Sequence, residues 1–350
     1  MTATVLVVDG DPSNSANWEA LLISQGCEVI SARSGEAALR LCRKVQPDLV
    51  LLNDLLPDVP GLEICRQLKA DPCNRLTPVV LVTATDSDAF ALEAREAGAD
   101  DFWGQRPTSS EAIRRLQSLL QLKTYIDEQA ETVIFSLAQS IEARDPFDGG
   151  HGARVSSNAV RFGKSMGLSK SDLDKLRIGG LVHDIGKIGI PDAILSKPGP
   201  LDAEEIGIIE QHPIVGERIC APLKSLRHVL PLIRHHHERV NGEGYPDGIW
   251  GDRIPLTVRI LQIVDICDAL TSDRSYRQTL SLPDALIVLY EEAARGWLDE
   301  ALLNHFASLV VGSESSAAIR KRERQWSLEE ANWHASSSIG LMNRGGARGL

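Results

Sequence analysis

One stretch of this chain gathers most of its imidazoles with carboxylates beside them. His183 and Asp184 are adjacent, and Lys187 follows one helical turn later. His236 and His237 are adjacent and precede Gly244-Tyr245-Pro246. His151, His212 and Asp265 complete the inventory. Imidazole suits Fe, Zn, Mn or Ni, and carboxylate suits the harder ions. Asp265 lies in the apolar run Ile263-Val264-Asp265-Ile266-Cys267, whose neighbours would bury it. A buried carboxylate must be paired or metal-bound, since an isolated one is very costly. A lone His on an apolar helix is more often a satisfied core residue. Five His and two Asp placed at helix ends read instead as metal ligands. Seven ligands exceed one tetrahedral ion and suit two octahedral-type ions sharing a carboxylate, with Asp184 as the natural bridge. Two close metals clamp the attacking and leaving oxygens of a phosphoryl displacement. The expected chemistry is metal-assisted hydrolysis of a phosphate ester, with Asp184 and Lys187 as the catalytic residues. Lys187 would meet a phosphate oxygen or the leaving group; the plain alternative is a solvated surface Lys.

Helices must position these groups. Periodic apolar residues predict helices over 155–166, 171–183, 203–219, 226–237, 256–270 and 282–296, so that 142–311 forms a mostly α-helical domain. From Thr108 to Arg144 no Pro or Gly interrupts the pattern. One long helix is expected there, serving either as a dimer seam or as a core-facing helix. Short apolar runs at Thr4–Val8, Cys27–Ser31, Asp48–Asn53, Pro78–Thr83 and Asp101–Trp103 alternate with helical stretches. That repetition predicts an α/β doubly wound sheet over 1–122, with Asp9, Asn53 and Thr83 at the carboxyl ends of its strands. The stretch 312–350 is poor in apolar periodicity and reads as a mostly disordered tail.

Composition narrows the class. At 350 residues the chain fits two domains. A net charge of −11 argues against nucleic acid as a partner, while leaving room for a small anion at a local basic site. The six Cys are widely spaced without a CxxC pattern and read as reduced core thiols. No segment reads as a signal peptide or a bilayer span, so a cytoplasmic location without membrane association is expected.

The runs around His183-Asp184 and Lys187, His236-His237-Glu238 through Gly244-Tyr245-Pro246, Ile188–Leu195 and Asp268–Arg277 resemble the HD-GYP branch of the HD phosphohydrolases. The resemblance covers about Glu142 to Phe306. It implies a cyclic di-GMP phosphodiesterase that uses two or three metals, usually iron or manganese, and yields pGpG and then GMP. Carried over by position, it implies His151, His183, Asp184, His212, His236, His237 and Asp265 as metal ligands. It implies Gly244, Tyr245, Pro246, Arg274 and Arg277 as substrate contacts; for the two Arg the plain alternative is a surface ion pair. Asn241 stands where the family has Asp, and Val240 where it has an aromatic. Members with three metals carry a carboxylate upstream of the first His. Phe147 stands there in this chain, so two divalent ions are expected, with Asp148 the residue that could reach a third.

Residues 1 to about 122 resemble a response-regulator receiver domain, of flavodoxin-like fold. Val7-Val8-Asp9, Pro47–Leu52, Leu56-Pro57-Asp58, Thr83-Ala84 and Gly98–Phe102 carry that resemblance. The phosphoacceptor position is Asn53, the second acid is Gly10 followed by Asp11, and the expected Lys-Pro is the displaced Arg106-Pro107. An amide is no nucleophile toward a phosphoryl donor. Asp54 is the nearest substitute, but neighbours on a strand point to opposite faces. The reading is a cyclic di-GMP phosphodiesterase controlled by a phosphorylation-incompetent receiver, acting as a homodimer and meeting signalling partners through its first domain. The alternatives are hydrolysis of another cyclic dinucleotide and a non-catalytic nucleotide-sensing module.

Overall fold

The computed structural model describes residues 3–84, 87–104, 107–144, 149–197, 199–272 and 279–312. Arg106, Phe147, Asp148, Arg274, Arg277 and the tail beyond Gly312 lie outside the described residues. The chain divides into two compact units, with the main boundary between Glu131 and Thr132.

In the first unit the strands β1 (Thr4–Val8), β2 (Glu28–Ala32), β3 (Leu49–Asn53), β4 (Val79–Val82) and β5 (Asp101–Trp103) form one sheet. Every neighbouring pair is parallel and the order is β2-β1-β3-β4-β5. This is a flavodoxin-like, doubly wound topology. Its helices are α1 (Pro12–Ser24), α2 (Gly35–Val45), α3 (Gly61–Ala70) and α4 (Asp88–Glu96). The two-residue side-chain period sorts the strands onto two cores. Leu6, Val8, Val50, Leu52 and Leu81 pack with Ile64 and Leu68 on one face. Val5, Val7, Leu49, Leu51 and Val80 pack with Trp18, Leu22, Trp103 and Leu116 on the other. Burial on both faces is why these strands read as continuous apolar runs.

The next helix, α5 (Ser109–Glu142), is continuous over 34 residues. In the second unit follow α6 (His151–Ser165), α7 (Lys170–Val182), α8 (Asp192–Leu195), α9 (Ala203–Ile209), α10 (His212–Cys220), α11 (Leu230–His235), α12 (Leu256–Thr271), α13 (Leu282–Ala294) and α14 (Glu300–Val311). Its core forms around α12, where Val258, Leu261, Ile263 and Val264 are buried against Leu286 and Leu289 of α13 and Val155 and Phe162 of α6.

Three helical expectations are corrected. The span 203–219 is two helices, because Pro213 has no N–H to carry the hydrogen bonding of α9 onward and instead sits in the first turn of a new helix that opens at His212. The span 226–237 begins as a 3-10 turn over Lys224–Val229 and becomes α-helical only at Leu230, with Pro231 in its first turn. The helix α14 was not among those expected; its N-cap is Asp299, whose side chain accepts the Leu302 N–H.

Candidate metal centre

Helix ends carry most of the centre. His151 is the first residue of α6, and His212 the first of α10. His183 directly follows α7, and Asp184 then opens a 3-10 turn, Ile185–Gly189, that holds Lys187. His236 directly follows α11, with His237 next, while Asp265 sits within α12. Gly186 makes one approach possible: a Cβ there would overlap the carbonyl oxygen of His212. The turn bearing Lys187 therefore rests directly on the start of the helix bearing His212.

All seven expected ligands are brought together, in two groups. Asp184, His212, His236 and His237 form one, and His151, His183 and Asp265 the other; within each, the ligand atoms lie within 4.8 Å of one another. Asp184 stands between the groups. Its Oδ1 is 3.3 Å from His212 Nε2 and 3.7 Å from His236 Nε2. Its Oδ2 is 3.5 Å from His183 Nε2 and accepts from Lys187 Nζ at 2.5 Å. Asp265 Oδ1 is 3.1 Å from His151 Nε2 and 3.7 Å from His183 Nε2.

Local backbone sets the imidazole tautomers. His183 Nδ1–H donates to the Gly180 carbonyl at 3.1 Å, His212 Nδ1–H to Ile209 at 2.7 Å, and His236 Nδ1–H to Ile233 at 2.9 Å. Each carbonyl lies three residues back, so a helix's last turn or the turn before its first residue supplies the acceptor. A ring that donates from Nδ1 keeps the Nε2 lone pair for a ligand. His183 Nε2 is buried and has no hydrogen-bond partner among the described residues. His212 Nε2 and His236 Nε2 face each other at 3.2 Å. Opposed lone pairs and an orphaned buried nitrogen fit bound cations, which would supply the missing positive charge.

The electrostatics agree. Burial opposes ionisation of Asp184, yet Lys187 and His183 hold its carboxyl well below the usual range. Burial likewise opposes ionisation of Asp265, and the neighbouring His151 and His183 outweigh it. Burial pushes His236 down to about 4 and His237 well below an ordinary imidazole. At neutral pH these are ligand forms: ionised carboxylates and neutral imidazoles. His183 differs in direction, for burial lowers it but Asp184 and Asp265 raise it further.

Sequence reasoning missed two supports. Asp268 is buried and accepts from His151 Nδ1 at 2.8 Å, orienting that ring as the carbonyls orient the others. Arg154 holds Asp268 in turn, at 2.9 Å and 3.0 Å. The signal was spacing: Asp268 follows Asp265 by three residues on α12, and Arg154 follows His151 by three on α6. The other is Glu142, whose Oε1 accepts the Gly152 N–H at 2.8 Å.

The loop after His237 lies against the centre. Tyr245 stacks on His237 with ring centroids 4.8 Å apart, and its N–H donates to the His237 carbonyl at 3.2 Å. A Cβ on Gly244 would collide with the Glu238 backbone. Pro246 is half-buried in the same loop. Asn241 accepts the Glu243 N–H at 3.0 Å and donates to the Arg295 carbonyl at 3.3 Å, a bond no carboxylate could make. A cavity of about 30 Å³ beside His237 and Asp265 is also lined by Arg239, Glu292 and Trp297. The Arg239 guanidinium lies over the Trp297 ring at 3.6 Å.

At the sheet end of the first unit, Asn53 Nδ2 donates to Asp9 Oδ2 at 2.9 Å. Asp11 accepts the Ser13 N–H at 2.8 Å and serves as the N-cap of α1. Thr83 is buried at the end of β4. Asp54 accepts the Leu62 N–H of α3 at 3.3 Å.

Comparison with known proteins bears on both units. Residues 5–116 match the response regulator receiver domain, and residues 136–302 match an HD domain. The chain is 32% identical over 311 residues to the cyclic di-GMP phosphodiesterase response regulator RpfG of Xanthomonas campestris pv. campestris, covering 81% of this chain and 82% of that one. It is 33% identical over 315 residues to a cyclic di-GMP phosphodiesterase of Thermotoga maritima, covering 81% and 84%. It is 34% identical over 165 residues to the 3'3'-cGAMP-specific phosphodiesterase 3 of Vibrio cholerae, covering 47% and 36%.

Proposed function

Because this chain belongs to the family of cyclic di-GMP phosphodiesterase response regulators, in which a receiver domain precedes an HD domain, we propose that it hydrolyses cyclic di-GMP to pGpG, with GMP as the further product. The observation that carries the reading is the pair of His/Asp groups with Asp184 between them. His212, His236 and His237 would hold one divalent ion and His151, His183 and Asp265 the other, with Asp184 bridging. Oxygen and imidazole donors of this kind suit iron or manganese. The ions would supply Lewis acidity and a nucleophile at neutral pH.

The chain's own residues do the rest. Asp268 and the carbonyls of Gly180, Ile209 and Ile233 orient the imidazoles. Lys187 Nζ, held by Asp184, places a positive charge where a non-bridging phosphate oxygen would sit. Gly244, Tyr245 and Pro246 form a wall for the nucleotide beside His237. Arg274 and Arg277 belong to the proposed contacts by sequence alone.

Control would run without phosphorylation. The Asn53 amide occupies the acceptor position and ties up Asp9. The first domain would act by docking partner proteins. In α5, Leu122, Tyr125, Ile126, Val133 and Leu137 are exposed and share one face. That face is proposed as a homodimer seam. Among the described residues no helix is long and apolar enough to cross a membrane, and a cytoplasmic location is proposed.

The test is product analysis. Anaerobically purified, iron- or manganese-loaded protein should convert cyclic di-GMP to pGpG. Protein that leaves cyclic di-GMP intact but cuts another cyclic dinucleotide would refute the substrate assignment.

A further inference from the structure

The end of α5 and the turn that follows it, through Arg144, reach toward both halves of the centre. Glu142 accepts the N–H of Gly152, the residue after His151. The first N–H groups of a helix lack partners within it, and a carboxylate there also meets the favourable end of the helix dipole. Glu142 thus caps α6 from another helix, next to a proposed ligand. A Cβ at Gly152 would overlap Glu142 Oε1, so the contact depends on the missing side chain.

Arg144 makes the second tie. Its guanidinium donates to the carbonyls of Lys187 at 3.4 Å and Ile190 at 3.1 Å, and pairs with the Asp192 carboxylate. Lys187 lies in the 3-10 turn over Ile185–Gly189, and Ile190 directly follows it. Such a turn has few bonds of its own and poor hydrogen-bond geometry, so its placement depends on outside ties. A rigid fork of donors spans two carbonyls in a way one ammonium cannot. Between the end of α5 and the centre lies a cavity of about 50 Å³ lined by Ile141, Glu142, Leu181, His183, Asp184 and Lys187.

We propose that Glu142 and Arg144 are positioning residues, the first setting His151 and the second setting Lys187, so that one helix end holds a ligand and the phosphate-facing cation in register. The proposal rests on the metal-centre reading above. Since α5 starts at Ser109 and is unbroken, any partner that biases the helix between two states would act on both groups at once.

The experiment uses the full chain, with metal content, metal affinity, kcat and KM measured for wild type, Glu142→Ala, Glu142→Gln, Arg144→Ala and Arg144→Lys. Glu142→Ala should weaken metal binding and lower kcat by about tenfold, the lower end for supports of metal ligands. Glu142→Gln should recover most of both, because its amide oxygen accepts the same N–H. Arg144→Ala and Arg144→Lys should lower kcat by about tenfold with metal content and KM unchanged. Circular dichroism melts identify a variant that has not folded, and the conservative member of each pair then decides. Wild-type values at or near background for both metal and turnover would refute the metal-centre reading. An active wild type whose alanine variants match it, or a Glu142→Gln as damaged as Glu142→Ala, would overturn this inference.

Discussion

His212 and His236 turn their Nε2 atoms toward each other at 3.2 Å, and each ring's Nδ1–H is already given to a backbone carbonyl. Neither ring has a hydrogen to offer the other. The contact repels unless a cation lies beside both, and Asp184 stands 3.3 Å and 3.7 Å from the same two nitrogens.

Asp184→Ala should therefore strip at least one ion and abolish hydrolysis while leaving the fold. Metal analysis and circular dichroism of the same sample check this. Full metal content with normal turnover would remove Asp184 from the centre.

Asp268→Asn separates orientation from ligation. The amide keeps the size of the carboxylate but no longer pairs with both His151 and Arg154 as an anion. A loss of about 10- to 100-fold in metal affinity or activity is expected, typical for a group one step out from the metal. Isothermal titration with Mn²⁺ would measure it, and wild-type affinity would show that His151 needs no such partner.

The clustered residues proposed as ligands were legible in the sequence because most lie next to a local signal. His183-Asp184 and His236-His237 stand where apolar helical periods stop, and His212 precedes a Pro. The strands were legible for a similar reason, since burial on both faces leaves unbroken apolar runs. Supports that depend on tertiary contact were not. Glu142 and Gly152 are ten residues apart, and Arg144 and Lys187 forty-three apart, and no period in the sequence joins them. The break before His212 was missed because the apolar pattern continues through Ile208, Ile209, Ile214 and Val215 while Pro213 interrupts the backbone.

Lys187→Met tests the proposed phosphate contact. Nζ is lost, but the ligand atoms remain. Turnover should fall by roughly 10²- to 10³-fold, the usual cost of losing one preorganised charge-stabilising donor. Metal content should hold. Unchanged kcat would remove Lys187 from the reaction.

Glu292 provides a pH signature. Burial raises its carboxyl to about 7, with Arg239 and Arg295 pulling the other way, from an ordinary value of 4.5. The folded chain keeps a proton that the unfolded chain releases. Its contribution to stability is therefore full below pH 4.5 and is lost as pH rises through about 7. The loss amounts to about 3 kcal/mol at most, at 1.36 kcal/mol per pH unit. Glu292→Gln cannot ionise, so denaturation midpoints should shift in favour of the variant between about pH 5 and pH 8. A difference between variant and wild type that is the same at both pH values would show that Glu292 does not titrate in this window.

In the first unit, acetyl phosphate should leave no acyl-phosphate on the native chain. The Asn53 amide is bonded to Asp9, and Asp54 is turned to the Leu62 N–H. Intact mass after donor treatment is the readout. A phosphoryl adduct that disappears in Asp54→Ala would make Asp54 the acceptor.

The two His/Asp groups are proposed to form one hydrolytic centre for cyclic di-GMP. The most direct measurement is chromatography of the products formed by anaerobic, metal-loaded full-length protein and by its chelator-treated twin. The loaded sample should give pGpG, the stripped one none, and activity should recover when Fe²⁺ or Mn²⁺ is returned. Intact cyclic di-GMP in the presence of stoichiometric metal, or equal turnover after chelation, would contradict it.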